Sequence, residues 1–127
     1  MIFDTDVLIW AARGNSSAAR TIDAATDRTL SLVSFMELLQ GARSKVEIRQ
    51  IQESLMTLGF RILPLSEAIG AIAAALIEQY SLAHGIQIAD ALIAATAMES
   101  GQRLCTANVK HFRPIRGLSV VSFRYKA

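Results

Sequence analysis

The sequence predicts an α/β fold of three layers: a central, mostly parallel sheet of about five short strands, with helices on both faces. Two observations carry this expectation. Short apolar or β-branched runs alternate along the chain with longer segments whose apolar residues recur every three or four positions, and strands separated by helices pair in parallel and are covered on both sides. The 127 residues, 52% of them apolar, also match a single domain over residues 1–127 with ample core, and lack the polar bias of a disordered chain.

Each element follows from local pattern. Residues 1–5 are an apolar run ending in carboxylates and read as a buried strand. A brief helix is expected over residues 7–13, closed by Gly14-Asn15, and Ser16 or Ser17 caps a second helix reaching about residue 27. Residues 29–33 are β-branched or apolar and predict a strand, after which Ser34 opens a helix that Gly41 helps to end. Over residues 45–58, Val46, Ile48, Ile51, Leu55 and Leu58 form one apolar helix face. Residues 61–65 predict a short strand whose Pro64 puts it at a sheet end or edge. An alanine-rich helix over 67–83, a helix over 89–100 stopped by Gly101, and strands over 103–106 and 118–123 complete the alternation.

Composition narrows the function classes. The single cysteine, Cys105, excludes a disulfide scaffold or a cysteine-built metal site and suits a reducing cytoplasm. The longest run without a polar residue, 68–77, is shorter than the ~20 residues that cross a bilayer. Met1-Ile2-Phe3-Asp4 lacks the basic start of a signal peptide. A cytoplasmic protein without membrane contact is expected. Thirteen Lys/Arg against eleven Asp/Glu leave a net charge of +2 and a pI near 9.0, too mild as a total to name a partner.

The placement of the acids is more informative than their number. Asp23, Asp27, Glu47, Glu53, Glu67, Glu78 and Glu99 lie among polar neighbours or at helix ends and read as solvated surface. Asp4 and Asp6, Glu37 and Asp90 are embedded in apolar segments, where a carboxylate is costly unless paired, hydrogen-bonded or bound to a metal. Each has a purely structural explanation. Asp4 or Asp6 caps a helix starting at Val7, Ser34 and Glu37 match the S-x-x-E capping box, and Asp90 caps a helix starting at Ala91. Taken together, acids at three strand ends or helix starts with no adjacent Lys or Arg call for a hard cation. Mg²⁺ suits one or two carboxylates, water and a substrate phosphate. Thr106 and Asn108 fall at the carboxyl end of the fourth strand, on the edge expected for Asp4, where turn chemistry also explains them.

At this point the sequence resembles the PIN-domain nucleases. Asp4-Thr5-Asp6-Val7-Leu8 is similar to their D-[ST]-[ND]-[VI]-[LI] opening. Ser34 followed by Glu37-Leu38 and Gly41 is similar to their second motif, and Asp90-Ala91-Leu92-Ile93-Ala94-Ala95-Thr96-Ala97 to their third. Thr106-Ala107-Asn108 with a downstream Phe112 resembles the fourth. The four motifs are collinear over nearly the whole chain and look most like the VapC toxins of bacterial type II toxin–antitoxin modules.

That resemblance implies an α/β/α fold whose acidic pocket holds Mg²⁺ or Mn²⁺ and cleaves RNA. It also implies a homodimer and a cognate VapB-like antitoxin that assembles with it into a hetero-oligomer. Asp4, Glu37 and Asp90 match the acidic triad and the metal ligands, with Asp6 a further candidate; Thr106 and Asn108 match the remaining catalytic positions. Asn108 departs from the fourth acid found in many members, which leaves open one ion or two. The expected reaction is phosphodiester hydrolysis by a metal-activated water, with Glu37 orienting or deprotonating that water.

Basic residues cluster around these motifs. Arg103, Lys110, Arg113, Arg116, Arg124 and Lys126 follow Glu99 with no acid among them, and Arg43, Lys45 and Arg49 follow the Glu37 motif. Arg43, Lys110, Arg113 and Arg116 are the expected RNA contacts, to phosphates rather than bases, although a solvated face explains them equally. His111 reads as an RNA contact or, more commonly for a lone loop histidine, a surface residue, Cys105 as strand core, and Trp10 as core, dimer interface or antitoxin groove.

Two rivals stand beside the nuclease. Asp4-Thr5-Asp6 also resembles the D-x-D nucleophile motif of haloacid dehalogenase-like phosphatases, but the Lys context and late acidic motif those enzymes need are missing. A non-catalytic RNA- or protein-binding domain is the second, suggested by Asn108 and opposed by the retention of Asp4, Glu37 and Asp90. RNA target, cut site and antitoxin interface are not legible in the sequence.

Overall fold

Ile2 and Phe3 make up β1 (Ile2–Phe3), and both side chains are fully buried. The computed structural model describes residues 1–126. The remaining strands are β2 (Thr29–Ser31), β3 (Arg61–Leu63), β4 (Leu104–Thr106) and β5 (Val120–Ser122), in the order β3-β2-β1-β4-β5. Every pairing is parallel, as the alternation of strands and helices predicts. β3 lies at the edge, with Pro64 just beyond it.

Among the described residues, seven helices connect the strands: α1 (Thr5–Ala12), α2 (Ser16–Ala24), α3 (Leu32–Gln40), α4 (Lys45–Thr57), α5 (Glu67–His84), α6 (Ile88–Ser100) and α7 (Val109–Phe112). Successive residues of a strand face opposite sides of the sheet, and the core divides accordingly. Ile2 and Leu104 pack with α5 and α6, including Ile69, Leu76, Ile93 and Ala94. Phe3 and Cys105 pack on the other face with Val7, Ile22 and Leu55 of α1, α2 and α4. Phe3 also meets the Phe60 ring edge-on at 5.7 Å. Alanines at 91, 94, 95 and 97 are almost wholly buried, so α6 approaches the sheet closely without bulky side chains.

The helix starts differ from the sequence expectation in a consequential way. α3 begins at Leu32 with Ser31 as its cap, Ser31 Oγ accepting from Val33 N at 3.1 Å. Ser34 therefore lies inside the helix and the Ser34–Glu37 capping box does not form. Asn15, not Ser16 or Ser17, caps α2. α6 begins at Ile88 behind Gln87, which makes no side-chain cap bond, so Asp90 is in its first turn rather than at its cap. Only Asp4 caps as expected, for a helix beginning at Thr5 instead of Val7. Gly85 and Gly101 end α5 and α6 in the left-handed conformation, at φ of 64° and 65°, where a Cβ is disfavoured. No helix among the described residues is long and apolar enough to cross a membrane.

Phe3 fills the centre of one face, so Phe3→Ala leaves a cavity between β1 and α1–α2. It should lower the unfolding free energy by about 3–5 kcal/mol, read as a reduced midpoint in urea denaturation.

Candidate active site

The chain crosses from one side of the sheet to the other between β1 and β4: β2 and β3 lie on one side of β1, β4 and β5 on the other. Such a switch point opens a crevice at the carboxyl ends of the strands. Pairing of Ile2 with Leu104 and of Phe3 with Cys105 sets the next residues, Asp4 and Thr106, side by side at that edge. Asp4 N donates to Cys105 O at 2.8 Å, extending the ladder to the site itself.

Asp4 is buried, and both its oxygens are engaged. Oδ1 accepts from Thr5 N and Oδ2 from Thr106 Oγ1, each at 2.8 Å. Those bonds favour the carboxylate, yet burial and the neighbouring Asp6 charge outweigh them, with a smaller contribution from Asp90, and push the Asp4 carboxyl up to about 7. Asp6, in the first turn of α1, accepts from Ala107 N at 3.0 Å through Oδ2. Its Oδ1 is buried without a protein partner, and burial raises this carboxyl above its ordinary value as well.

Asp90 comes from α6 and is partly buried. Burial and the Glu37 charge raise its carboxyl, while His111 opposes them. Glu37 comes from α3 and is exposed, contrary to its apolar sequence neighbours: Met36 beside it is 47% exposed. Glu37 Oε1 accepts from Thr5 Oγ1 at 2.7 Å. Thr5 thus serves two acids, its N–H on Asp4 and its hydroxyl on Glu37.

The structure therefore brings Asp4, Asp6, Thr106 and Ala107 into direct contact, and Asp90 and Glu37 within electrostatic reach. Asn108 donates its backbone N–H to Thr106 Oγ1 at 2.9 Å, and its exposed side chain lies at the rim. Thr5 and His111 are the participants that local sequence did not single out. Thr5 carries a signal in being flanked by Asp4 and Asp6. His111 Nε2 lies 3.1 Å from Asp90 Oδ2, a contact between residues 21 positions apart, and no local pattern announces it. Cys105, buried beneath the acids, has its thiol pushed up to about 11 by burial and by the Asp6 and Asp4 charges, so it stays protonated.

The basic residues divide. Lys110 and Arg113 line a cleft of about 470 Å³ with Asn108, Arg124, Tyr125 and Lys126. Arg43 lines a separate groove of about 930 Å³ that Glu37 also borders. Arg116 lines neither, and its backbone N–H donates to Tyr80 Oη. Trp10 stacks on Tyr125 at 4.3 Å and 6°, which fastens the last residues over α1.

The donor set fits a hard divalent cation. Its acids supply oxygen, Asp6 Oδ1 is left over, and like charges crowd a buried edge. Among the described residues no three acidic, His or Cys side chains already form a metal cage, so such an ion would keep several water ligands.

A model of the PIN domain matches residues 1–117. Ribonuclease VapC10 of Mycobacterium tuberculosis is 37% identical over 116 residues, covering 88% of this chain and 85% of its own. A toxin-antitoxin complex from Klebsiella pneumoniae contains a chain 31% identical, with TM-score 0.81 over 95% of both chains. VapBC2 from Rickettsia felis, solved on a promoter DNA fragment, has TM-score 0.82 at 20% identity over 98% of this chain and 100% of that one, a likeness of fold.

The raised Asp4 carboxyl has a thermodynamic consequence for the metal-free protein. Between the ordinary value of 3.8 and about 7 the folded state holds a proton that the unfolded chain has released, so stability falls as pH rises through this window. In the presence of a chelator, the melting temperature should drop between pH 5 and pH 8. Asp4→Asn should lose most of that slope.

Proposed function

The chain belongs to the PIN-domain family, alongside VapC ribonucleases, and on that premise we propose that it is a metal-dependent endoribonuclease toxin restrained by a cognate VapB-like antitoxin. The observation that carries this reading is the buried Asp4 carboxyl, raised to about 7 beside Asp6 and Asp90 at the sheet's switch point. Acids gathered at such cost serve chemistry rather than folding. A phosphatase would need the Lys and late acidic motif that the sequence lacks.

Asp4 and Asp90 would hold the divalent ion, with Asp6 Oδ1 or Glu37 completing the protein's share. Oxygen ligands suit Mg²⁺ or Mn²⁺. When bound, the ion supplies positive charge to the scissile phosphate and makes water a competent nucleophile at neutral pH. The residues of the chain do the rest. Thr106 Oγ1 and Thr5 N fix the Asp4 carboxylate, and Thr5 Oγ1 fixes Glu37. Glu37, exposed and anchored through one oxygen, orients the attacking water or takes its proton. The Asn108 amide holds a phosphate or a water at the rim.

RNA approaches along the cleft where Lys110 and Arg113 stand beside Asn108, with Arg43 beyond Glu37 on the other side. These cations contact phosphates, giving affinity with little sequence information. Arg116 contributes long-range attraction. The whole chain acts as one catalytic domain in the cytoplasm, as a homodimer, and associates with its antitoxin in a hetero-oligomer. A toxin–antitoxin pairing is what the Klebsiella pneumoniae relative displays.

Asp4→Asn and Asp90→Asn should each abolish cleavage of single-stranded RNA while leaving the circular dichroism spectrum unchanged; full residual activity in either variant would overturn the assignment. Thr106→Val, which removes the hydroxyl's bonds to Asp4 and Asp6 and the acceptor of Asn108 N, should lower metal affinity or kcat by about 10–100-fold. RNA binding should weaken steeply between low and high salt, measured by fluorescence anisotropy with a labelled oligonucleotide.

A further inference from the structure

His111 is the one side chain of the site that the proposed reaction leaves without a task. It sits on α7, the four-residue helix immediately after Asn108. Phe112, 1% exposed, anchors that helix in the core, so His111 is presented from a fixed point. Among the described residues, the two contacts between a basic and an acidic side chain are Arg61 with Asp27 and His111 with Asp90. His111 is therefore the only basic side chain paired with any member of the acid cluster. The chain's second histidine, His84, lies exposed at the end of α5 beside Tyr80.

Resting on the metal-site reading above, we propose that His111 is itself a ligand of the divalent ion, through Nε2 beside Asp90 Oδ2, and that this nitrogen biases the site toward Mn²⁺ over Mg²⁺. The distance fits. Neighbouring ligands of an octahedral ion with bonds of ~2.1 Å stand ~3.0 Å apart, and His111 Nε2 and Asp90 Oδ2 are 3.1 Å apart. The two groups come from different elements, α7 and α6, yet already have the spacing of one octahedral edge. Imidazole is a poor partner for Mg²⁺, which favours oxygen, whereas Mn²⁺, the weakest-binding of the first-row transition ions and itself suited to oxygen, still takes a nitrogen beside carboxylates. Of the two ions that suit the acids, Mn²⁺ is the one that gains from His111.

Electron spin-echo envelope spectroscopy of the full chain loaded with Mn²⁺ tests this directly, because a coordinated imidazole nitrogen modulates the echo. The ¹⁴N modulation should be present in the wild-type protein, vanish in His111→Gln, and persist in His84→Gln. His111→Gln should also lower Mn²⁺ affinity about tenfold or more and change Mg²⁺ affinity less than about twofold, measured by calorimetry. Mn²⁺ that binds through Asp90, as judged by its loss in Asp90→Asn, but shows no ¹⁴N modulation would overturn the proposal and leave the metal site standing. In that case His111 only neutralises Asp90. Modulation that survives in His111→Gln would also overturn it. Failure of the wild-type protein to bind Mn²⁺ at all would overturn both the ligand assignment and the metal-site reading beneath it.

Discussion

Buried like charges at the carboxyl edge of two adjacent parallel strands are the constraint on which the rest of this structure depends. Asp4 ends the central strand, and the register of β1 with β4 leaves it no position except beside Thr106. Burial removes the water that would stabilise a carboxylate, and Asp6 and Asp90 add repulsion. The surrounding polar groups answer that problem: the Thr5 and Ala107 N–H groups and the Thr106 hydroxyl are all directed at acid oxygens. They reduce the cost without removing it, since the Asp4 carboxyl remains near neutrality. A cation removes it, and the chemistry of the site follows from that need.

The fold can tolerate such a site because the elements holding it are secured elsewhere. β1 is only two residues long, but its two side chains enter opposite cores, one built on α5 and α6 and the other on α1, α2 and α4. Arg28 adds a further fastening, its guanidinium donating to Ile22 O, Asp23 O and Leu58 O and so joining the carboxyl ends of α2 and α4. Rigid packing on both faces keeps the acids in place despite their repulsion. The acid cluster thus rests on a few polar atoms at one edge, and stability on the apolar layers around them.

Much of this was legible in the sequence, for reasons that can be named. The sheet followed from the alternation of short apolar runs with amphipathic segments, and the edge position of β3 from Pro64. Asp4 and Asp6 were conspicuous because they close an apolar run. The apolar neighbours of Glu37 suggest burial, whereas α3 turns Met36 and Glu37 outward. The Ser34–Glu37 capping box failed because Ser31, at the end of β2, caps the helix first. His111 reads as a surface residue from its neighbours alone because its contact with Asp90 is tertiary. The basic residues could be counted but not sorted, since only the folded chain separates the Lys110–Arg113 cleft from the Arg43 groove.

The central claim, that the acid cluster opposes folding until a cation joins it, is tested most directly by melting wild-type protein and Asp4→Asn side by side at pH 8, each with a chelator and with Mn²⁺. Asn at position 4 keeps an acceptor for Thr5 N and offers a donor to Thr106 Oγ1, so the local bonds survive the change. The account predicts that metal-free Asp4→Asn melts above metal-free wild-type protein, and that Mn²⁺ raises the melting temperature of the wild type strongly and of the variant little. A variant that melts below wild type without metal, or that gains as much from Mn²⁺, would contradict it.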